Sequence, residues 1–235
     1  MNIAQLKASR ALWLRREKYR YARWRWFRYR SKRKAAERLR LREKWWKLYT
    51  EAHKERVRRD HQIENAPVKK PSVRQQTVAH AKTYVGLTEN PAGSNTHPGT
   101  IISKCQIDLL GDDGYAWCGC FQGAMLKWAG VKGVTSRIAS VGFIEADARA
   151  HRGPFRGWSD RANPGHTLPG DLLVIGGHGI HVEMVAEVHA DGSCTTIGGN
   201  TSSGPGGSQS NGGGIWKRDR SASEITGVAH VDFPN

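Results

Sequence analysis

An α+β domain preceded by a basic α-helical hairpin is the fold class that three observations predict for this 235-residue sequence. All 27 glycines lie at or beyond Gly86 and all nine prolines at or beyond Pro67, so the first 66 residues contain neither helix breaker. Charge divides along the same line. Through Arg74 there are 25 basic and 7 acidic residues, a balance of +18, and from Gln75 onward 12 basic and 14 acidic, a balance of −2. Finally, helical spacing dominates the early part of the Gly-containing region and short β-type runs dominate its later part, which is the α+β order. The organisation is therefore a basic arm over 1–66, a linker over 67–74 and one domain over 75–235, long enough to bury its own core.

In the arm, Ala35, Leu39, Trp45, Trp46, Tyr49, Ala52 and Val57 fall on one broad face at 100° per residue, so 35–60 reads as an amphipathic helix. In Leu12–Arg30, aromatics interleave with Arg all round the helix. Ser31-Lys-Arg-Lys34 breaks the two segments, which then pair as a hairpin, and Pro67 and Pro71 bracket an exposed linker. Trp and Tyr mixed with Arg suit the boundary between water and an anionic surface, because rings sit at the interface while guanidinium groups pair with phosphate or carboxylate. Three readings stand: a wall-polymer or membrane surface, a solvated hairpin whose aromatics pack on one another, and, least favoured, nucleic acid. A nucleic-acid-packaging protein would spread its charge over the folded body, whereas here the body is slightly acidic.

In the domain, Val78–Val85 reads as a short helix with Thr77 as N-cap, followed by the loop Glu89-Asn-Pro-Ala-Gly-Ser-Asn95. Trp117–Gly130 has apolar residues at 117, 121, 124, 125 and 128, which is helical spacing, and Gly130 is its stop. Asp171–Ile175, Ile180–Val188 and Cys194–Ile197 read as strands, with turn chemistry at His189-Ala-Asp-Gly192 joining the last two. The tract Gly204–Gly214 reads as a flexible loop near the cleft mouth.

No run approaches the ~18 apolar residues of a membrane span, and no h-region of ~7–15 apolar residues follows the basic N-terminus. The expectation is a chain made in the cytoplasm, whose four cysteines are thiols, ligands or a nucleophile rather than a disulfide framework.

The chemistry centres on Cys118. It opens a helix, where unpaired N–H groups and the positive dipole end favour thiolate over thiol. His181 lies on a strand, and the next strand ends in Gly198-Gly-Asn200. A thiol at a helix start, an imidazole on a facing strand and an amide beside it form a cysteine-hydrolase arrangement. His181 would hold the Cys118 proton and give it to the leaving amine, and Asn200 would fix the imidazole tautomer.

Taken in order, Glu89-x-Pro-x-Gly-Ser-Asn95, Trp117-Cys118 opening a helix, Pro169-Gly-Asp-Leu172, His181-Val in a hydrophobic strand and Gly199-Asn200-Thr-Ser resemble the CHAP domain (cysteine, histidine-dependent amidohydrolase/peptidase). The resemblance spans roughly residues 77–220. It implies a papain-like α+β fold, cleavage of an amide bond in bacterial peptidoglycan, and the roles of nucleophile for Cys118, base for His181 and orienting residue for Asn200. Many members carry an acidic residue two positions before that Asn, and here Gly198 stands there. The third role therefore rests on Asn200, with Glu183 a weaker stand-in because its position lies about 6–7 Å along the strand from His181. The oxyanion would be met by the Cys118 N–H and a second donor such as Tyr115.

Some members bind calcium before the nucleophile, but Asp108, Asp112 and Asp113 lack alternating ligand spacing and read as a turn. A zinc site from Cys118, Cys120, His178 and His181 is disfavoured, since helical positions two apart point about 200° away from one another. His178 reads as an exposed loop residue, and Cys105, Cys120 and Cys194 as structural thiols. No metal or cofactor is expected. The function expected is that of a phage endolysin-like peptidoglycan hydrolase, made in the host cytoplasm and reaching the wall after a membrane lesion, with the arm on an anionic wall or membrane surface. The alternatives are a virion-borne wall hydrolase, and a membrane-active or nucleic-acid-binding arm with a non-catalytic domain.

Overall fold

The computed structural model describes residues 3–29, 35–64, 71–204, 207–208 and 211–234. The chain divides into two compact units, Met1–Lys70 and Pro71–Asn235.

The first unit is a pair of long helices, α1 (Ile3–Tyr29) and α2 (Ala35–Glu64). They run antiparallel, as the contacts show: Trp24 meets Trp46 with centroids 5.1 Å apart, Tyr21 meets Tyr49 at 5.3 Å, Arg20 donates to the Leu48 carbonyl and Arg10 pairs with Asp60. Glu17 is the polar centre of the pair. It is buried, 2.8 Å from His53 Nδ1, and accepts from Arg56 Nε at 2.7 Å. The broad apolar face expected on α2 is only partly used: Ala52 is buried, but Leu39, Trp46 and Val57 stay exposed. Two helices touch along a narrow seam, so the flanks of a wide face fall outside it. The expected break at Ser31–Lys34 and the linker residues Pro67–Lys70 lie outside the described residues.

The second unit begins at Pro71 rather than Gln75. Ser72 caps α3 (Val73–Lys82) in a capping box with Gln75, displacing Thr77 from the expected N-cap role. Thr77 is instead buried inside the helix, where its hydroxyl donates to the Val73 carbonyl at 2.7 Å. Then come α4 (Ile101–Leu110), α5 (Cys118–Trp128), a 3₁₀ turn (Ser136–Ala139) and α6 (Val141–Arg149). At the end of α5, Gly130 adopts φ 73°, with its N–H on the Lys127 carbonyl and the Val131 N–H on that of Leu126. This is the Schellman stop that the glycine predicted.

Among the described residues six strands follow: β1 (Phe155–Ser159), β2 (Leu172–Ile175), β3 (His181–Val188), β4 (Cys194–Thr201), β5 (Gly214–Arg220) and β6 (Ile225–Val231). They form one antiparallel sheet in the order β1-β6-β2-β3-β4-β5. The α+β class is therefore observed. Alternation along β2 and β3 sends Leu172, Val174, Val182 and Met184 into the main core with Phe121, Met125 and Leu126 of α5. Leu173, Ile175 and Val185 enter a smaller cluster with Cys194 and Val228 on the opposite face. No helix of the described residues is long and apolar enough to cross a membrane.

Candidate active site

Three close approaches seat α5 and with it Cys118. A Cβ on Gly119 would stand 2.3 Å from the Ile138 carbonyl oxygen, so only glycine lets the first turn of α5 lie against the 3₁₀ turn. A Cβ on Gly199 would meet the Trp117 ring at 2.6 Å, so this glycine lets Trp117 and Phe121 pack onto the backbone of β4. Gln122 Nε2 then donates to the Ile197 carbonyl at 3.1 Å, tying the helix to the same strand. Trp117 is fully buried, and its indole N–H donates to Glu89 Oε1 at 2.9 Å. Glu89 is the first residue of the expected Glu-x-Pro-x-Gly-Ser-Asn loop, so that loop reaches the residue next to the nucleophile candidate.

His181 is the first residue of β3 and is fully buried. Cys118 neighbours it closely enough to bear on its titration, while Nδ1 has no hydrogen-bond partner. The other nitrogen, Nε2, lies 3.2 Å from Glu183 Oε1. Burial opposes charge on the imidazole, but the neighbouring Cys118 thiol and the Glu183 carboxylate outweigh it and raise its pKa to about 9. Burial likewise opposes charge on Glu183, yet hydrogen bonds from Arg220 and His181 win and lower its pKa to about 2. Arg220 Nε donates to Glu183 Oε2 at 2.9 Å, its NH2 group donates to Oε1, and the Thr196 hydroxyl also donates to Oε2.

The group at His181 Nε2 is therefore Glu183, where the sequence pointed to Asn200. The two positions lie about 6–7 Å apart along β3, and the glutamate side chain spans that gap by folding back along the strand. Asn200 is buried at the end of β4, with φ 55° and its backbone carbonyl accepting from the Gly212 N–H at 3.1 Å. Asn is among the few side chains that tolerate that left-handed conformation, so the position has a backbone role of its own at the register shift between Gly198 and Thr201 of β4.

The remaining candidates are placed as follows. Tyr115 is half exposed, and its N–H donates to Gln106 Oε1. His178 is exposed as expected but not unattached: Nδ1 lies 2.6 Å from Glu145 Oε2, and the Gly179 N–H donates to the same carboxylate. Asp112 Oδ1 accepts from the Asp113 N–H, as in a turn. All four cysteines are free thiols. Burial pushes the pKa of Cys105 well up, that of Cys120 up to about 12 and that of Cys194 up to about 11. These three are unsuited to be nucleophiles near neutrality. Among the described residues no three His, Cys, Asp or Glu side chains converge as a ligand set. Cavities of about 330 Å³, lined by Arg137, Asp147 and Arg152 among others, and about 630 Å³, lined by His80, Tyr84 and Trp128 among others, do not include Cys118 or His181. Comparison with protein-family models, curated proteins and solved structures finds no match to this chain.

Proposed function

We propose that the protein is a cysteine peptidoglycan hydrolase of the phage endolysin type, cleaving an amide bond of the bacterial cell wall. One observation carries the reading: of four thiols, only Cys118 stands at a helix start against a basic, carboxylate-backed imidazole. The ordered motifs resembling the CHAP domain supply the substrate class.

In the proposed reaction the His181 imidazole takes the Cys118 proton and the sulfur attacks the scissile carbonyl carbon. The tetrahedral oxyanion would be met by the Cys118 backbone N–H at the head of α5. His181 returns the proton to the departing amine, leaving a thioester on Cys118. Water, deprotonated by the same imidazole, then releases the acid and restores the thiol. Imidazole that charges readily within a buried site suits both transfers. The basic hairpin, with Trp26, Trp46, Tyr19 and Tyr21 substantially exposed, would hold the enzyme on an anionic wall or membrane surface.

Purified protein should clear suspensions of Gram-positive walls, and Cys118→Ala should abolish clearing with the fold retained. Full activity in Cys118→Ala would sink the mechanism. Mass spectrometry of the fragments identifies the bond: new N-terminal L-Ala marks an amidase, and other new amines mark an endopeptidase.

A further inference from the structure

We infer that Glu183 is the positioning residue of His181, a role that rests on the hydrolase reading above and that neither Asn200 nor the residue at 198 fills. The carboxylate is built into the sheet rather than added to it. Met184 pairs with Ile197 across β3 and β4, and one step along the ladder Glu183 stands beside Gly198. A Cβ on Gly198 would lie 2.7 Å from Glu183 Oε1 and 2.8 Å from its Cγ, so the glutamate occupies the space a side chain at 198 would take. Gly198 has no left-handed φ requirement, which means the glycine is needed for room alone.

The same carboxylate is held on three sides. Arg220 on β5 grips both oxygens, the Thr196 hydroxyl on β4 donates to Oε2, and His181 meets Oε1. Arg220 is itself tethered to Glu224 at 3.4 Å. A buried carboxylate is costly unless paired and fully hydrogen-bonded, and this one is. Its geometry fixes Nε2 as the nitrogen that faces it and leaves Nδ1, which has no hydrogen-bond partner, to serve the thiol. The charged groups around His181 are then Cys118 from α5, Glu183 on its own strand and Arg220 behind Glu183. One carboxylate both orients the ring and favours its protonated form.

Two variants of the full chain test this, Glu183→Gln and the exchange Glu183→Ala/Gly198→Glu, which returns a carboxylate to the same space from the neighbouring strand. Two readouts are followed against pH: wall clearing, and alkylation of Cys118 by iodoacetamide with the site confirmed by peptide mass mapping. Glu183→Gln is expected to slow clearing by about 10²- to 10⁴-fold and to move the basic limb of both profiles to lower pH by about one unit or more. The exchange variant is expected to restore the limb and recover clearing to within about tenfold of the parent. A folded Glu183→Gln with an unmoved limb overturns the inference, as does a folded exchange variant that behaves like Glu183→Gln. Should Glu183→Gln fail to fold, the exchange variant decides alone. If the parent protein alkylates at Cys118 with a His181-dependent limb but clears no walls, the substrate reading fails, and the alkylation profiles still judge the role of Glu183.

Discussion

Gly119 and the Ile138 carbonyl form the tightest backbone approach beside the nucleophile candidate: a Cβ on residue 119 would lie 2.3 Å from that oxygen and 2.8 Å from the Ala139 oxygen. Neither neighbour is a flexible side-chain tip, so the helix itself must give. Gly119→Ala is predicted to lift the first turn of α5 and carry Cys118 away from His181. Overpacking of this kind costs about 1–3 kcal/mol. Thermal denaturation should show the loss, and wall clearing should fall by more than the loss of folded protein explains. Unchanged stability and clearing would show that the 3₁₀ turn yields instead.

The buried charges set the pH range of stability. His181 has its folded pKa raised from 6.5 to about 9, so its contribution is complete below about 6.5 and is lost as pH rises through about 9. Glu183 has its folded pKa lowered from 4.5 to about 2, so its contribution is complete above about 4.5 and is lost as pH falls toward 2. Urea unfolding of the Pro71–Asn235 unit should therefore give greatest stability between about pH 4.5 and 6.5 from this pair, declining on both sides. Replacing His181 with Gln should flatten the alkaline decline, and an unaltered decline would place its origin elsewhere.

How much of this was legible in the sequence depends on how far apart the contributing residues lie. The α5 helix was readable because its apolar period and Gly130 stop sit within 14 residues, and β2 to β4 because their runs are short, apolar and separated by turn residues. The β5 strand Gly214–Arg220 was not, since Trp216-Lys-Arg-Asp-Arg220 looks like solvated loop. The reason it is a strand is tertiary: Arg218 donates to the Ser202 and Gly204 carbonyls, and Arg220 is consumed by Glu183. Strand β6 was hidden by Gly227, whose missing side chain makes room for the Trp158 ring of β1. For the site, Cys118 and His181 carry local signals. The part played by Glu183 requires the β3–β4 register and an arginine 37 residues away, and no local window contains both.

The start of the second unit is fixed by Arg74. Its guanidinium donates to Asp171 at 2.8 Å, to the Pro169 carbonyl at 3.2 Å and to the Val231 carbonyl, and it lies over the Phe233 ring at 4.5 Å. Asp171 is fully buried and also meets His230 Nδ1 at 3.0 Å and the Val231 N–H. Removing one partner leaves a buried carboxylate short of its cation, a loss of about 3–5 kcal/mol. Arg74→Ala should lower the melting temperature by far more than substitution of an exposed arm arginine. The Asp171 pKa is held below 3.8: burial opposes this, but His230 and Arg74 prevail. That contribution is present above about pH 3.8 and lost below it, so parent and variant should converge in stability in acid.

Charge separates the two units more sharply than any other property, and it makes the arm separable by experiment. Through Lys70 there are 24 basic and 7 acidic residues, a balance of +17, and from Pro71 onward 13 basic and 14 acidic, a balance of −1. Three of the hairpin's seven acidic residues are held in ion pairs within it, Glu17 with Arg56, Asp60 with Arg10 and Arg56, and Glu55 with Arg58 and Arg59. With 24 basic against 7 acidic residues over 1–70, the hairpin keeps a large excess of positive charge. A polyanionic wall or lipid surface would draw the full chain through long-range attraction that falls as the Debye length shortens from about 10 Å at 0.1 M salt to about 3 Å at 1 M. Sedimentation with walls, and clearing rates from 0.05 to 1 M NaCl, should therefore decline steeply for the full chain. They should stay nearly flat for residues 71–235, with the two converging at high salt. The same vesicles of anionic and neutral lipid, challenged with each protein, distinguish a lipid surface from a wall polymer. Equal salt dependence with and without the hairpin would remove it from substrate targeting altogether.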